Sequence, residues 1–255
     1  MKPNFVEVLS RLFVDRYNCI VCDRELPAPT PHRTCNSCYA KMEIIEDGFC
    51  LKCGVKLFGE EEYCLDCQDH EKHFDRAVSP VCYSGAAAKL VQELKFHNKR
   101  YLAKPLARYM TDRFLAENIP VDVIVPVPLS AQRRKERGYN QSELLAAEIS
   151  RSLGVPMAAD IAIRVKDTLP STQLEGGRKA REENIRGAFV LKENGAVKNR
   201  VVLAVDDVLT TGATSSEFAR ILKKAGAAKV YVLTFATTRE KPPIQREPAE
   251  KSNLV

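Results

Sequence analysis

Apolar runs and amphipathic segments alternate along residues 75–238. Six apolar runs predict strands, at 77–83, 121–127, 161–165, 188–191, 201–205 and 229–237. Between them, apolar residues recur at three- and four-residue spacing and predict helices, at 85–96, 102–118, 140–152 and 215–225. Strands that are apolar throughout are buried on both faces, which is typical of a parallel sheet between two layers of helices. The pattern therefore predicts a doubly wound α/β domain.

The segments on either side of this domain follow other patterns. Residues 1–74 hold most of the cysteines, after a stretch in which apolar residues recur at helical spacing, at Phe5, Leu9, Leu12 and Phe13. This stretch predicts a short amphipathic helix that packs on its own chain, with a partner-binding helix as the alternative. Residues 239–255 combine prolines with charges and are predicted to be disordered. We therefore divide the chain at residues 74 and 238.

Composition narrows the possible partners only slightly. The 255 residues have a formal net charge of +6, which permits binding to phosphates or nucleic acid without requiring it. No stretch approaches the ~18 apolar residues of a membrane span, and the amino terminus is too charged for a signal peptide. We expect a cytoplasmic protein without membrane insertion, in a compartment where thiols stay reduced.

Eight of the nine cysteines form four Cys-x-x-Cys pairs, namely Cys19/Cys22, Cys35/Cys38, Cys50/Cys53 and Cys64/Cys67. Each pair can direct two sulfur atoms at one ion, and two pairs complete a tetrahedral four-cysteine site. The spacing favours two structural zinc ions over iron–sulfur clusters, and reduced thiols argue against disulfides. Sequential pairing of the four pairs is the simpler topology, and interleaved pairing is the alternative. The predicted module is a double zinc ribbon.

Other candidate ligands of the metal lie close to these cysteines. His32, His70 and His73 could replace a thiol, but with eight thiols present we expect them to be solvated. Cys82 stands between Val81 and Tyr83 and is predicted to be a buried apolar residue.

The stretch from Val201 to Phe218 carries the strongest indication of a ligand. Asp206 and Asp207 follow the apolar strand, and the small-residue turn Thr210, Thr211, Gly212, Ala213 and Thr214 leads into a helix. Thr214 and Glu217 have the spacing of a capping box, which predicts a helix that begins at Ser215. Amides and the dipole at a helix amino terminus suit a phosphate, and ionised carboxylates accept hydrogen bonds from sugar hydroxyls. The stretch therefore predicts a site for a 5-phosphoribosyl group, with an ordinary capped helix and two solvated acids as the alternative.

A second strand end has similar features. The strand at 121–127 ends in Val125-Pro126-Val127-Pro128, and a basic, glycine-containing loop follows at Arg133–Gly138. Asn140 and Glu143 predict a second capped helix behind this loop. We predict that the loop binds pyrophosphate, with Arg137 and Gly138 as contacts; the alternative is a solvated run of charges.

Two further segments could cover the ligand. The basic stretch Lys95–Arg100, which contains Phe96, is either a solvated helix end or a hood over the substrate. The long polar segment Lys166–Arg186 is predicted to be a loop that closes over the site and excludes water.

The sequence AVDDVLTTGAT resembles the signature of type I phosphoribosyltransferases, which bind 5-phosphoribosyl 1-pyrophosphate (PRPP). The whole order, from the paired cysteines through VPVPLSAQRRKERGYNQSELLA to VDDVLTTGAT, is similar to the ComF family of competence proteins. This resemblance implies a type I phosphoribosyltransferase-like parallel sheet behind a small zinc-ribbon domain. It also implies a role in natural transformation, in the uptake or handling of incoming single-stranded DNA.

The resemblance further implies a role for each motif. Asp206 and Asp207 match the acids that bind the ribose hydroxyls, and residues 210–214 match the loop that binds the 5-phosphate. Mg²⁺ is expected to accompany PRPP, and the reaction is expected to displace pyrophosphate from the anomeric carbon. Possible partners are single-stranded DNA and a DNA-uptake helicase or recombination-loading protein. The alternatives are a metabolic phosphoribosyltransferase outside competence, and a non-catalytic zinc-stabilised scaffold for DNA uptake.

Overall fold

The computed structural model describes residues 17–168, 177–192 and 195–238. The predicted helix at 5–13, the tail 239–255 and part of the loop 166–186 lie outside these residues. The helices are α1 Asn36–Tyr39, α2 Leu65–Asp69, α3 Gly85–Phe96, α4 Ala103–Leu115, α5 Ala131–Arg137, α6 Gln141–Leu153, α7 Gly177–Ile185 and α8 Ala213–Lys224. The strands are β1 Arg76–Val78, β2 Val81–Cys82, β3 Val123–Pro126, β4 Ala162–Arg164, β5 Phe189–Leu191, β6 Val201–Leu209 and β7 Lys229–Thr237.

The central sheet is parallel, as the apolar strands predict. Its order is β1-β7-β6-β3, and β2 continues the β1 edge by pairing with β7. β4 and β5 do not join it but form a separate antiparallel pair. β6 and β7 are buried along most of their length because helices cover both faces of the sheet. The architecture is therefore a parallel α/β sheet with a small two-stranded sheet beside it.

The register opens a cleft beside β6. β3 pairs with β6 only as far as Pro126, which lies opposite Val205, and the next residue, Val127, donates one more hydrogen bond to the Val205 carbonyl. The proline-containing segment then leaves the sheet, while β6 stays paired to β7 as far as Leu209. One edge of residues 206–209 therefore faces open space and not a neighbouring strand.

Several predicted elements differ from the structure. β6 extends through the two acids, because β7 continues to pair with it, and does not end at residue 205. The predicted basic loop is mostly helical: Ser130 caps α5, and Gly138, with φ of 80°, ends it. The predicted loop 166–186 contains α7 in its second half.

The capping box at Thr214 and Glu217 is wrong. α8 begins at Ala213 behind Gly212, whose φ of 72° turns the chain, and no side chain caps it. Glu217 instead accepts a hydrogen bond from the Gly187 amide and pairs with Arg220. The cap at Asn140 is confirmed, since its side chain accepts from the Ser142 amide at 3.0 Å, but Glu143 pairs with Arg134.

The cysteine-rich module covers the free edge of the sheet. The Cys82 amide donates to the Glu43 carbonyl at 2.9 Å, and the Ala77 amide donates to the Lys52 carbonyl at 2.8 Å. Cys50 and Cys53 belong to the same buried cluster as the apolar residues of β3 and β6. Since an uncovered edge strand exposes unpaired amides and carbonyls, this packing completes the sheet.

None of the helices among the described residues is long and apolar enough to cross a membrane.

Gly54 sits where the module and β1 come closest together, and this contact leads to a prediction. Its φ is 71°, and a Cβ atom there would lie 2.7 Å from the Ala77 carbonyl oxygen. We expect Gly54→Ala to lower the free energy of unfolding by about 3 kcal/mol, because left-handed strain adds to a clash with rigid backbone. Denaturant unfolding measures the loss.

Gly154→Ala is the matched control, because φ there is 67° but no atom lies within 4 Å of the added Cβ. It should cost only the backbone strain, about 1 kcal/mol. Equal losses in the two variants would contradict the close approach at Gly54.

Candidate ligand site and cysteine clusters

The eight paired cysteines form two separate clusters. Cys19, Cys22, Cys35 and Cys38 form one, and Cys50, Cys53, Cys64 and Cys67 form the other. Within each cluster the four Sγ atoms lie within 4.8 Å of one another, which confirms sequential pairing. All eight are free thiols.

Both donor sets fit a tetrahedral metal ion. Four thiolates at the usual Zn–S distance would lie about 3.8 Å apart. The Sγ atoms of Cys22 and Cys35 are 3.8 Å apart, and those of Cys53 and Cys64 are 3.6 Å apart. Backbone amides also approach the sulfurs, from Cys35 to Cys19 at 3.4 Å and from Cys53 to Cys50 at 3.5 Å. Amides in this position stabilise thiolates, so the clusters are suited to zinc.

Cys82 and the three histidines near the clusters differ in burial and contacts. Cys82 is buried, as predicted. His70 and His73 are exposed, but the prediction of a solvated His32 is wrong. Its ring stacks on Tyr109 with centroids 4.0 Å apart, and its Nε2 lies 2.9 Å from Asp112. His32 thus joins the first cluster's module to α4, a contact that no local sequence pattern indicates.

A cavity of about 340 Å³ opens where β3 and β6 end. Both acids, the whole turn 210–214 and Arg137 line it, so the structure brings together motifs that lie up to 77 positions apart (137 to 214). The remaining lining comes from α3, the segment after β3, α5, α6, β4, α7, the first turn of α8, Tyr83 and Thr168. Gly138 does not line it, since its position serves to end α5.

The acid pair is held by residues from three elements. The Asp206 carboxylate accepts from the Ser142 hydroxyl at 2.8 Å and from the Asp207 amide at 2.9 Å. Asp207 accepts from the Gln141 side chain at 3.4 Å and forms an ion pair with Lys95 from α3. Asp207 is 3% exposed, so solvent cannot replace these partners. The carboxylates are therefore fixed before any ligand arrives.

Burial, mutual repulsion and the Lys95 ammonium give the two acids different pKa values. Burial, together with the neighbouring charge of Asp207, raises the pKa of Asp206 from 3.8 to about 7. Burial acts on Asp207 in the same sense, but the Lys95 ammonium outweighs it and lowers the pKa of Asp207 below its ordinary value. The same ion pair outweighs the effect of burial on Lys95 and raises its pKa, so the lysine stays charged. The pair thus carries at least one negative charge at neutral pH.

The turn 210–214 presents backbone amides to the cavity. Gly212 is in the left-handed region, and the first helical hydrogen bond of α8 runs from the Ser216 amide to the Gly212 carbonyl at 2.7 Å. The amides of Thr214 and Ser215 precede this bond and therefore have no partner within the helix. With the helix dipole behind them, these amides can bind an anion.

Arginines that lie close to one another also line the cavity. Arg137 is held by the Gln141 side chain and by the ring of Phe96, 5.0 Å from its guanidinium carbon. Arg133 donates to the Thr168 carbonyl at 2.7 Å, and Arg164 donates to the Thr168 hydroxyl. Burial lowers the pKa of Arg137 and of Arg164, but guanidinium groups stay charged in proteins. These guanidinium groups suit a second, multiply charged anion.

Sequence reasoning missed Lys95 and Ser142 as members of the site. The stretch 95–100 was expected to be either a hood or a solvated helix end, and Lys95 alone of its residues lines the cavity. Ser142 lies in the first turn of α6, behind the correctly predicted cap at Asn140. That position next to a cap was the only available indication of its role.

Comparison with known proteins identifies two domain families in the chain. A double zinc ribbon domain matches residues 8–68, and a phosphoribosyl transferase domain matches residues 140–252. These matches, with the parallel sheet and the cysteine clusters, confirm the expected fold class. The agreement covers both the type I phosphoribosyltransferase-like sheet and the amino-terminal zinc-ribbon module.

Similar proteins extend over most of the chain. Competence protein F of Haemophilus influenzae is 33% identical over 224 residues, which is 85% of this chain and 95% of that protein. The DNA utilization protein YhgH of Salmonella typhi is 31% identical over 225 residues, 86% of this chain and 96% of that one. Competence protein ComFC of Bacillus subtilis is 25% identical over 236 residues, 85% of this chain and 93% of that one.

The raised pKa of Asp206 leads to a prediction about stability. A pKa of about 7 in the folded chain, above the ordinary 3.8, means that folding is favoured while Asp206 holds its proton. This contribution is complete below pH 4 and is lost as the pH rises through 7. Asp206→Asn cannot ionise but still accepts both hydrogen bonds. We therefore expect it to stabilise the ligand-free protein at pH 8 by about 1 kcal/mol or more.

Thermal unfolding between pH 4 and pH 8 measures this gain, which should shrink towards pH 4. Asp122→Asn is the control, since Asp122 accepts from the Val201 amide at the opposite end of β6. A gain for Asp206→Asn that does not depend on pH would contradict the raised pKa.

The two clusters predict a metal content of about two zinc ions per chain. Cys50→Ser and Cys38→Ser should each reduce it to about one, because the clusters share no ligand. Cys82→Ser removes a buried thiol outside both clusters and should leave the content unchanged. Elemental analysis measures the ratio, and a value well under two for the wild type would overturn the double site.

Proposed function

The chain belongs to the ComF family of competence proteins, and we propose that it binds PRPP with Mg²⁺ in the cavity beside β6. One observation carries this proposal: an acid pair near the carboxyl end of β6 and the anion-binding turn that follows this strand line one cavity together with Arg133, Arg137 and Arg164. The acids fit sugar hydroxyls, while the turn and the arginines fit two separate anions. A ribose with a phosphate on one side and a pyrophosphate on the other matches this order of groups.

Each group of residues has a role in this proposal. Asp206 and Asp207 accept hydrogen bonds from the ribose hydroxyls, and the amides of residues 210–214 hold the 5-phosphate. Arg137 and Lys95 bind the pyrophosphate, with Gly138 shaping the turn behind Arg137. Asp206 and Asp207 offer the oxygen atoms that Mg²⁺ prefers, and the ion would supply positive charge beside the pyrophosphate.

We assign to the chain the departure of pyrophosphate from the anomeric carbon. The bond between that carbon and a pyrophosphate oxygen breaks, and its electrons remain on the leaving oxygen, beside Lys95 and Arg137. A lone pair of the acceptor, a nucleophile such as a nucleobase nitrogen or ammonia, forms the new bond to that carbon. The acids hold the sugar in place while positive charge develops on the ring. The segment Lys166–Arg186 is proposed to cover the ligand and exclude water, which is supported by Arg181 and Asn184 of α7 at the cavity.

The cellular role follows from the family. Relatives are named competence proteins and DNA utilization proteins. We propose that this chain handles incoming single-stranded DNA during natural transformation, in the cytoplasm, together with an uptake helicase or a recombination-loading protein. Residues 1–74 are proposed to form a zinc-bound module, 75–238 the PRPP-binding domain and 239–255 a disordered tail.

Calorimetric titration with PRPP and Mg²⁺ tests the ligand. The double variant Asp206→Asn/Asp207→Asn should weaken binding at least about 100-fold, because it removes two charge-assisted acceptors. Asp122→Asn should bind like the wild type. Ribose 5-phosphate should bind more weakly than PRPP, since it leaves the arginine side unused.

Absence of binding by the wild type would end the PRPP proposal. Equal affinity for ribose 5-phosphate would remove the pyrophosphate assignment alone. Pyrophosphate release, screened against nucleobases, ammonia and single-stranded DNA, then tests turnover. In a transformable strain that lacks its own relative, the double variant should fail to restore transformation where Asp122→Asn succeeds.

A further inference from the structure

Lys72 is a buried cation that follows the last cysteine of the second cluster by five positions. Its side chain is only 1% exposed. The ammonium donates to the Thr211 carbonyl at 2.6 Å and lies 2.7 Å from the Asp66 carboxylate. A lysine in this environment needs both partners, because an unpaired charge would be costly to bury. The residue therefore bridges the cysteine-rich module and the turn 210–214.

The two residues after Lys72 reinforce the bridge. The His73 amide donates to the Ser216 hydroxyl at 3.0 Å, and Phe74 is fully buried. A Cβ atom added at Gly212 would lie 3.6 Å from the Phe74 ring and 3.7 Å from the Lys72 ammonium. Three consecutive residues thus contact Thr211, Gly212 and the first turn of α8.

The other end of the bridge lies on the second cysteine cluster. Asp66 belongs to α2, which begins after Cys64 and contains Cys67. Both cysteines belong to the second cluster. The position of Asp66, and through it that of Lys72, is therefore fixed by the helix that contains Cys67 and begins directly after Cys64.

We propose that Lys72 is a positioning residue for the anion-binding turn, so that the second zinc ribbon shapes the ligand site without contacting the ligand. In a trans peptide the carbonyl and the following N–H point in opposite directions. Fixing the Thr211 carbonyl on the ribbon side turns the Gly212 N–H away from Lys72, and Gly212 lines the cavity. The ammonium also adds positive charge behind the turn. Where it concerns PRPP, this inference rests on the proposed function.

Lys72→Met tests the inference, since it keeps the length of the side chain and removes its charge. In the ligand-free protein, amide hydrogen exchange at residues 211–216 should be at least about tenfold faster, while exchange at 202–205 stays unchanged. The affinity for PRPP with Mg²⁺ should fall about 10- to 100-fold. Lys72→Arg keeps the charge and should recover part of both losses.

Lys56→Met is the matched control. Lys56 binds the Asp47 carbonyl at 2.9 Å and the Asp47 carboxylate at 3.1 Å, on the same ribbon but away from the turn. It should leave exchange and affinity as in the wild type. Ser216→Ala breaks the bridge from the other side and gives a second variant should Lys72→Met fail to fold.

Unchanged exchange at 211–216 in Lys72→Met, or in Ser216→Ala if the lysine variant does not fold, would overturn the inference. So would a PRPP affinity within about twofold of the wild type in a variant with two bound zinc ions. If the wild type itself binds no PRPP, the proposed function fails, and the exchange measurement still decides whether Lys72 positions the turn.

Discussion

Two adjacent carboxyl groups near the carboxyl end of β6 are the constraint on which the site depends. Asp206 and Asp207 cannot both stay ionised without compensation, and each neighbouring element supplies part of it. α3 contributes the Lys95 ammonium, and the first turn of α6 contributes the Ser142 hydroxyl and the Gln141 amide group. The early departure of β3 leaves room for a ligand beside the acids. Side chains from α3 and α6 thus converge on one dipeptide.

Patterns that depend on local chemistry could be predicted from the sequence. Four of the six apolar runs identified strands of the parallel sheet, and the paired cysteines identified two clusters. The acids and the turn after them were correctly expected to lie together, although β6 continues through the acids. Features that depend on distant packing could not be predicted. The side chain of Lys95 meets Asp207 across 112 positions (95 to 207), and His32 meets Asp112 across 80. Thr214 looked like a cap because of its spacing from Glu217, but the left-handed turn at Gly212 begins the helix earlier.

The cysteine-rich module serves the fold as well as the site. β1 and β2 are short, and a sheet that ended there would expose unpaired backbone groups. The module supplies hydrogen bonds to this edge, and its second cluster packs into the core beneath β6. Gly54 permits the close approach because any side chain would meet the Ala77 carbonyl. A segment organised around two cysteine clusters therefore takes the place of further strands.

The pairing of β1 with β7 has a consequence for how the chain is made. These are the first and last strands of the central sheet, with Arg76 opposite Tyr231. β1 therefore emerges from the ribosome long before β7 has been synthesised. During that interval β1 has no strand partner, and contacts between residues so far apart in sequence form slowly. The cysteine-rich segment is synthesised immediately before β1 and bonds to the same residues. In the nascent chain it can therefore pair with the outer edge of β1, through the Ala77 amide, before β7 is synthesised.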